Sequence, residues 1–355
     1  MTDQPSIQPL LQRLARGQSL TEAQATEAFD IVMTGHASDA QIGALLAAMQ
    51  VRPGGPTIDE IAGAAQAMRR AAHKLDLPEG IEVIDTCGTG GDHAGTFNIS
   101  TTAALIAAGA GAYVAKHGNR SVTSQSGSSQ VLEQLGVRLD VDHGQLDRCL
   151  REARLCFCFA PAHHPAMKHA IGPRKELGFR TIFNLLGPLT NPAGARRQVI
   201  GVFDDRLTEP LAHVLDRLGA VHAMVVHGKS LASPDRTEGG LGLDEITTTG
   251  PTRITVVKHG QVDTSTLHPA DVGLEAASVS ELRIDSVEAS AEVVRRVLDG
   301  HKGPARDIAC LNAAAALVVA DLATDLVDGL EKACAAVDAG HARRVLDKLV
   351  EITGP

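Results

Sequence analysis

Residues 81–115 of the 355-residue chain read IEVIDTCGTGGDHAGTFNISTTAALIAAGAGAYVA, and the fold class follows from them. The apolar start of this segment predicts a strand over 81–86, the small aliphatic residues predict a helix over 100–108, and AYVA predicts a strand over 112–115. Two strands joined by a crossover helix form a parallel βαβ unit. The sequence therefore predicts an α/β fold with a mostly parallel central sheet.

The α/β pattern continues toward the C-terminus. Further strands are predicted at residues 155–160, 198–203, 223–227 and 254–257. Helical segments separate most of these strands, and helices are predicted near residues 305–320, 326–339 and 342–351.

The N-terminal part is helical. Three capping boxes, each a Ser or Thr followed three positions later by Gln or Glu, predict helix starts after Thr21, Ser38 and Thr57. No strand pattern appears before residue 80. Residues 165–192 are also predicted to be helical, with Pro and Gly breaks, and can rejoin the N-terminal helices in space.

The composition argues against a nucleic-acid-binding or membrane protein. Apolar residues make up 44% of the chain but aromatic residues only 2%, so small aliphatic side chains must fill the core. The net charge of −9 provides no global basic surface for nucleic acid. The N-terminus lacks the pattern of a signal peptide, and the apolar runs are too short to span a bilayer. We therefore expect a soluble cytoplasmic protein.

The six cysteines show no spacing typical of a disulfide framework. Cys156 and Cys158 form a C-x-C pair with His163 and His164 shortly after, which is compatible with a zinc site. The surrounding LCFCFA run is instead typical of a buried strand, in which cysteine packs as a small apolar residue. We favour the strand.

The glycine-rich loop after the first strand is the first candidate site. Gly88, Gly90 and Gly91 follow the strand, and Ser100 is predicted to begin the helix. Glycines let the backbone approach an anion, and a helix N-terminus presents free N–H groups, so the loop suits a phosphate or pyrophosphate. An ordinary strand–helix turn with a Ser N-cap explains the glycines equally well. Asp92 repels a bare phosphate and is predicted to bind a ribose hydroxyl, a Mg²⁺-bound water or the loop backbone.

A second loop, residues 116–128, follows the next strand of the same unit. Both loops are therefore expected at the carboxyl edge of adjacent parallel strands, where α/β proteins bind ligands. Lys116, Arg120 and the run of hydroxyl side chains suit a polyanion, while His117 and Asn119 offer neutral hydrogen bonds. A solvated Ser-rich turn is the alternative interpretation.

Two further positions carry weaker signals. Asp244 and Glu245 are adjacent carboxylates of the kind that bind Mg²⁺, although acidic dipeptides are usually only solvated. Arg174 can bind a carboxylate through two parallel hydrogen bonds, although a surface salt bridge is the simpler interpretation.

Together these segments closely resemble the anthranilate phosphoribosyltransferases, nearly end to end. The matching segments are GTGGD at 88–92, GTFNIST at 95–101, KHGNRSVTS at 116–124, SGS at 126–128, HPAMK at 164–168, RKELGFRTIFNLLGPLTNPA at 174–193, GLDEI at 242–246 and GPARDIACLNAAAAL at 303–317.

The resemblance implies a fold and an activity. It implies a small all-helical domain, residues 1–72 plus 165–192, beside a large α/β domain, residues 73–164 plus 193–355. The implied reaction transfers the 5-phosphoribosyl group of phosphoribosyl pyrophosphate (PRPP) to the amine of anthranilate with Mg²⁺, in tryptophan biosynthesis. A homodimer formed through the helical domain is also implied.

The resemblance further implies roles for individual residues. The implied PRPP-binding residues are Gly88, Gly91, Asp92, Thr96, Asn98, Ile99, Ser100, Thr101, Lys116, His117, Gly118, Asn119, Arg120, Ser121, Val122, Thr123, Ser124 and Ser128. Ser100, Asp244 and Glu245 are the implied metal ligands. Gly88, His117, Asn119 and Arg174 are the implied anthranilate contacts, and Lys116 is implied to stabilise the leaving group.

The chain departs from the family pattern at a few positions. The departures are Thr86, Cys87, His93, Thr102 and a lengthened loop at residues 229–241. Two rival functions are a pyrimidine nucleoside phosphorylase and a non-catalytic nucleic-acid-binding relative on the same fold. The intact KHGN and LGPLTNP segments argue against the first, and the acidic net charge argues against the second.

Overall fold

The computed structural model describes residues 6–120, 127–230 and 242–354. The strands of these residues are β1 Ile84–Asp85, β2 Val114–Gly118, β3 Leu155–Phe159, β4 Arg197–Gly201, β5 His222–Lys229, β6 Gly242–Leu243, β7 Thr252–Lys258 and β8 Gln261–Leu267. The α-helices are α1 Gln8–Ala15, α2 Glu22–Met33, α3 Asp39–Gln50, α4 Ile58–Ala71, α5 Ile99–Gly109, α6 Ser128–Gln134, α7 His143–Arg148, α8 Ala160–His163, α9 Lys168–Leu177, α10 Phe183–Leu186, α11 Thr208–Arg217, α12 Val287–Leu298, α13 Pro304–Val319, α14 Leu326–Asp338 and α15 His341–Thr353.

The strands form one mixed sheet in the order β3-β2-β1-β4-β5-β7-β8, with β6 paired to the end of β5. The five strands from β3 to β5 are parallel, whereas β6, β7 and β8 pair antiparallel. The predicted mostly parallel sheet is therefore confirmed. β8 was not predicted, because it is an edge strand with mostly exposed polar side chains and no apolar alternation.

Two of the predicted strand boundaries that border the candidate site were wrong for local reasons. The first strand begins only at Ile84, because the N–H of Ile81 donates to the carbonyl of Pro78 and closes a turn before it. The second strand runs on to Gly118, because residues 116–118 pair with the last residues of β3. Lys116 and His117 are therefore strand residues rather than loop residues.

The two faces of the sheet carry separate apolar cores. On β5, Met224 and Val226 pack with the core around α5 and α13, while Ala223 and Val225 pack with the core of the N-terminal helices and α11. This alternation is the two-residue period of a strand buried on both faces. The sheet therefore separates the N-terminal helices from the C-terminal ones.

The N-terminal helices begin as predicted. Thr21, Ser38 and Thr57 each cap a helix in a complete capping box. α2 and α4 pack closely, since a Cβ at Gly63 would lie 2.3 Å from the carbonyl oxygen of Glu22. Later in the chain, α9 contacts α2 and α3, and α10 contacts α4.

Glu60 is a fully buried carboxylate that joins the start of α4 to the chain before α2. Its oxygens accept hydrogen bonds from the N–H groups of Leu20, at 2.9 Å, and Thr57, at 2.8 Å, and the guanidinium of Arg52 pairs with it. Because Glu60→Ala leaves these donors buried without an acceptor, we expect it to lower the free energy of unfolding by about 3 kcal/mol. Denaturant unfolding monitored by circular dichroism measures the change.

The matched control is Asp347→Ala, which breaks an exposed ion pair with Arg343 on α15. This variant is expected to change stability by less than about 1 kcal/mol. Similar losses in the two variants would contradict the role given to the buried carboxylate.

The cysteines agree with the predicted buried strand. Cys156 and Cys158 lie buried on β3, as predicted for a strand, and all six cysteines are free. Within residues 6–120, 127–230 and 242–354, no helix is both long enough and apolar enough to cross a membrane.

Candidate functional site

The candidate site lies at the carboxyl edge of the parallel strands. Residues 86–98, called the glycine loop below, leave β1 and cross the end of β4. The N–H of Thr89 donates to the carbonyl of Gly201, and the N–H of Phe203 donates to the hydroxyl of Thr89, at 2.8 and 3.3 Å. The loop is therefore held against two neighbouring strands, where α/β folds bind ligands.

The glycine loop has a left-handed backbone at its centre. Gly90 and Gly91 have φ angles of 66° and 81°, and His93 has a φ of 57°. In the described chain, the N–H groups of residues 91–93 make no hydrogen bond. Successive free N–H groups in a left-handed segment are suited to an anion.

Asp92 uses its carboxylate on the protein backbone. One oxygen accepts a hydrogen bond from the N–H of Ala94 at 3.1 Å, and the other lies 3.4 Å from the N–H of Asp244. Of the three partners predicted for the Asp92 side chain, the structure shows a contact with one, the loop backbone. Asp92 thereby joins the glycine loop to the segment that carries the acidic pair, Asp244 and Glu245.

Two glycines let the acidic pair approach the strands. A Cβ at Gly201 would lie 1.5 Å from the carbonyl oxygen of Asp244, and a Cβ at Gly88 would lie 2.9 Å from its carboxylate. Gly88 was a predicted site residue, but Gly201 was not, because its close neighbour is more than forty residues away in the sequence.

The N-terminus of α5 meets the acidic pair directly. Asn98, not Ser100, is the N-cap residue, because its side chain accepts the N–H of Thr101 at 3.2 Å. The predicted helix start was therefore wrong. Instead, the N–H of Ser100 donates to the carboxylate of Glu245 at 3.1 Å. Ile99 lies in the core, so only its backbone remains for a ligand.

Lys116 is a buried cation at the centre of the site. It is 2% exposed, and its Nζ donates to the carbonyl oxygen of Thr86 at 3.1 Å. The same Nζ lies 3.3 Å from the hydroxyls of Thr86 and Ser100. The ammonium group thereby joins the start of the glycine loop to the start of α5.

The acidic pair is partly buried beside this cation. Burial raises the pKa of Glu245 to about 8, although Lys116 opposes the shift. Burial also raises the pKa of Asp244, and the charges of Asp92 and Glu245 add to the effect. The N–H of Gly90 donates to Asp244 at 2.8 Å. Buried carboxylates with raised pKa values mark a site that favours an added positive charge.

The acidic pair alone does not make a complete set of metal ligands. In the described ranges, no three His, Cys, Asp or Glu side chains converge as a ligand set. Two carboxylates and the hydroxyl of Ser100 are nevertheless hard oxygen donors, and Mg²⁺ commonly takes water and substrate phosphates as its other ligands. The donor set therefore fits Mg²⁺ bound together with a phosphorylated ligand.

Asn312 fixes the chain just after the acidic pair. Its amide accepts the N–H of Ile246 at 2.9 Å and donates to the carbonyl of Ile246 at 2.7 Å. This residue was not predicted as functional. The sequence feature that could have identified Asn312 is that it is the single amide side chain in the mostly apolar sequence of α13.

His117 is held by a buried network. The carboxylate of Asp85 accepts the N–H of His117 at 3.1 Å and the amide of Asn191 at 2.8 Å. The ring Nδ1 lies 3.0 Å from the carbonyl of Gly187, which assigns the proton to Nδ1. The buried Nε2 has no partner in the described chain, and burial lowers the pKa of the ring to about 3.

Arg174 lies on α9. Its guanidinium carbon is 5.0 Å from the centre of the Phe183 ring. It makes no hydrogen bond or ion pair with another described residue, and burial lowers its pKa. Arg174 is thus a half-buried cation without a counter-charge, which suits an added carboxylate.

The remaining predicted residues lie at the margins. The side chain of Asn119 accepts the N–H of Arg120 at 2.7 Å, and the guanidinium of Arg120 pairs with Glu133 at 3.0 Å. Gly118 ends β2, Thr96 forms a backbone bridge with Arg283, and Ser128 begins α6. The predicted residues Ser121, Val122, Thr123 and Ser124, and most of the lengthened loop, lie outside the described residues.

Comparisons with known proteins agree with this arrangement. Residues 8–72 match the helical bundle domain of a glycosyl transferase family, and residues 80–343 match its a/b domain. The chain is 47% identical to an anthranilate phosphoribosyltransferase of Thioalkalivibrio sulfidiphilus over 99% of both chains. It is 50% identical to one of Paramagnetospirillum magneticum, over 98% of this chain and 96% of the relative.

Solved structures of such relatives share the fold. The crystal structure of the Thermus thermophilus anthranilate phosphoribosyltransferase matches with a TM-score of 0.88 and 39% identity, over 97% of this chain and 99% of that one. The Saccharomyces cerevisiae enzyme in complex with PRPP and Mg matches with a TM-score of 0.86 and 25% identity, over 98% and 97% of the two chains.

Proposed function

The chain belongs to the anthranilate phosphoribosyltransferase family, and we propose that the site described above performs that family's reaction. The protein transfers the 5-phosphoribosyl group of PRPP to the amine of anthranilate and releases pyrophosphate. One observation carries the proposal: the acidic pair binds the backbone of the glycine loop and the first turn of α5 directly. A metal held there would therefore lie beside the anion-binding N–H groups.

The donor site is proposed to lie along the glycine loop and β2. The free N–H groups of residues 91–93 are suited to the pyrophosphate, and Lys116 supplies a fixed positive charge beside it. The remaining donor contacts are proposed as Gly88, Thr96, Asn98, Ile99, Ser100, Thr101, His117, Gly118, Asn119, Arg120, Ser121, Val122, Thr123, Ser124 and Ser128.

Mg²⁺ is the proposed cofactor, with Asp244, Glu245 and Ser100 as its protein ligands. The solved yeast relative contains PRPP and Mg, which supports this choice. When bound, Mg²⁺ neutralises charge on the pyrophosphate as it departs.

Arg174 and His117 are proposed to hold anthranilate. The unpaired guanidinium of Arg174 binds the carboxylate, and Gly88 and Asn119 complete the acceptor site. The unprotonated Nε2 of His117 accepts a hydrogen bond from the amine. Because burial holds the pKa of this ring at about 3, His117 orients the amine without keeping its proton.

The reaction needs positioning more than a strong base. The amine nitrogen forms a bond to C1 of the ribose, and the bond from C1 to the pyrophosphate oxygen breaks with its electron pair. The configuration at C1 inverts, and the nitrogen loses a proton to water. Because the transition state resembles an oxocarbenium ion, alignment and stabilisation of the leaving group carry the catalysis.

The Mg²⁺ requirement is expected to depend on pH through Glu245. Burial raises the pKa of its carboxyl group to about 8, so a metal ion competes with a proton for this side chain. The Mg²⁺ concentration for half-maximal activity should therefore fall as the pH rises from about 6.5 to about 8.5. Glu245→Gln removes one of the two titrating carboxyl groups and should weaken this dependence, while Asp244, whose pKa is also raised, keeps part of it. A wild-type requirement independent of pH would contradict the assignment.

Three broader features belong to the same proposal. The small helical domain is proposed as residues 1–72 plus 165–192, and the α/β domain as residues 73–164 plus 193–355.

A homodimer through the helical domain is supported by the exposed apolar side chains of Val51 and Ile171, and light scattering tests it. The free cysteines suit a reducing compartment, and we propose the cytoplasm.

The relatives support phosphoribosyl transfer and neither rival function. Mass spectrometry of the products makes the distinction experimentally. Anthranilate with PRPP should yield N-(5-phosphoribosyl)anthranilate, whereas a nucleoside phosphorylase would consume phosphate and a pyrimidine nucleoside.

A further inference from the structure

Arg180 connects the helical segment to the glycine loop. It follows α9, and its Nη2 donates to the carbonyl oxygen of Gly91. Its guanidinium carbon lies 4.0 Å from the centre of the Phe203 ring, just after β4. The side chain is thus fixed both by a hydrogen bond to the loop and by stacking on an aromatic ring.

The bond to Gly91 sets the orientation of one peptide in the loop. In a trans peptide, the carbonyl of one residue and the N–H of the next point in opposite directions. Because Arg180 holds the carbonyl of Gly91, the N–H of Asp92 must face away from Arg180. This N–H is one of the three that make no hydrogen bond in the described chain.

We propose that Arg180 is a positioning residue for the phosphoribosyl donor. By holding the carbonyl of Gly91, it keeps the N–H of Asp92, the middle one of the three free N–H groups, directed toward the pyrophosphate. The inference rests on the donor site proposed above. Arg180 follows Arg174, the proposed anthranilate residue, by six positions on the same segment.

The identity of both partners matters for this contact. A Cβ at Gly91 would lie 3.1 Å from Nη2 of Arg180, in addition to the strain of its positive φ. A guanidinium can stack and donate at the same time, whereas the ammonium of lysine can donate but has no planar face. The Arg180→Lys variant should therefore retain only part of the effect.

The test compares variants of the full-length protein by steady-state kinetics. Arg180→Gln should raise the KM for PRPP about tenfold and leave the KM for anthranilate within about threefold, since one charge-assisted hydrogen bond is lost. Arg180→Lys should give an intermediate KM for PRPP. The control Lys175→Gln removes an exposed cation from the same segment and should match the wild type.

Calorimetric titration with PRPP and Mg²⁺, without anthranilate, measures donor binding independently of turnover. Weaker donor binding by Arg180→Gln at an unchanged melting temperature supports the proposal. Unchanged donor binding, or equal rises of both KM values with a lower melting temperature, overturns it. A wild-type protein that does not bind PRPP overturns the donor site itself, whereas a wild-type that binds but does not transfer overturns only the proposed reaction.

Discussion

Glu245→Gln is expected to lower kcat/KM for PRPP about 100-fold, because a lost metal ligand removes about 2.7 kcal/mol of transition-state stabilisation. The amide preserves the shape of the side chain and can still accept the N–H of Ser100, which lies 3.1 Å away. It lacks the negative charge that a divalent cation requires. Steady-state rates measured over a series of Mg²⁺ concentrations separate weaker metal binding from a slower reaction at saturation.

The control for this prediction is Glu82→Gln, which removes a carboxylate that is 80% exposed and pairs with Arg197. Its kinetics should resemble those of the wild type. Asp244→Asn should behave like Glu245→Gln, because both carboxylates are partly buried in the same site and burial raises the pKa of each. A Glu245→Gln enzyme with the wild-type Mg²⁺ requirement would exclude Glu245 as a metal ligand.

Arg174→Ala is expected to raise the KM for anthranilate about 100-fold with little change in the KM for PRPP. The guanidinium has no counter-charge in the described chain, so its interaction with the substrate carboxylate replaces no existing ion pair. Two parallel charge-assisted hydrogen bonds account for an effect of about this size. Initial rates with each substrate varied in turn measure both constants.

Two further variants sharpen this prediction. Arg174→Lys keeps the charge but not the two-pronged geometry, and should lose most of the affinity for anthranilate. Lys175→Ala, a change at the exposed neighbouring residue, should lose none. Equal changes in the two KM values of Arg174→Ala would remove the role assigned to Arg174.

The features that could be predicted from the sequence depend on local patterns. The helix starts at Thr21, Ser38 and Thr57 were predicted because a capping box is contained within four residues. The βαβ unit was predicted because the pattern of apolar residues changes from strand to helix and back to strand within residues 81–115. β8 was missed because an exposed edge strand needs no apolar face.

The site could be predicted only where its chemistry is visible in the residue types. Lys116, Asp244 and Glu245 carry charges, and the structure brings them together with Ser100 and the glycine loop. Gly201 and Asn191 act through contacts with distant segments, which no local pattern reveals. The ligand roles of the predicted residues stay predictions.

The most direct test of phosphoribosyl transfer uses the fluorescence of anthranilate. The protein has no Trp and a single Tyr, so it contributes little background. With purified protein, we predict a loss of anthranilate fluorescence that requires both PRPP and Mg²⁺ and stops when either is omitted. Unchanged fluorescence with all components and a folded protein would contradict the proposed reaction.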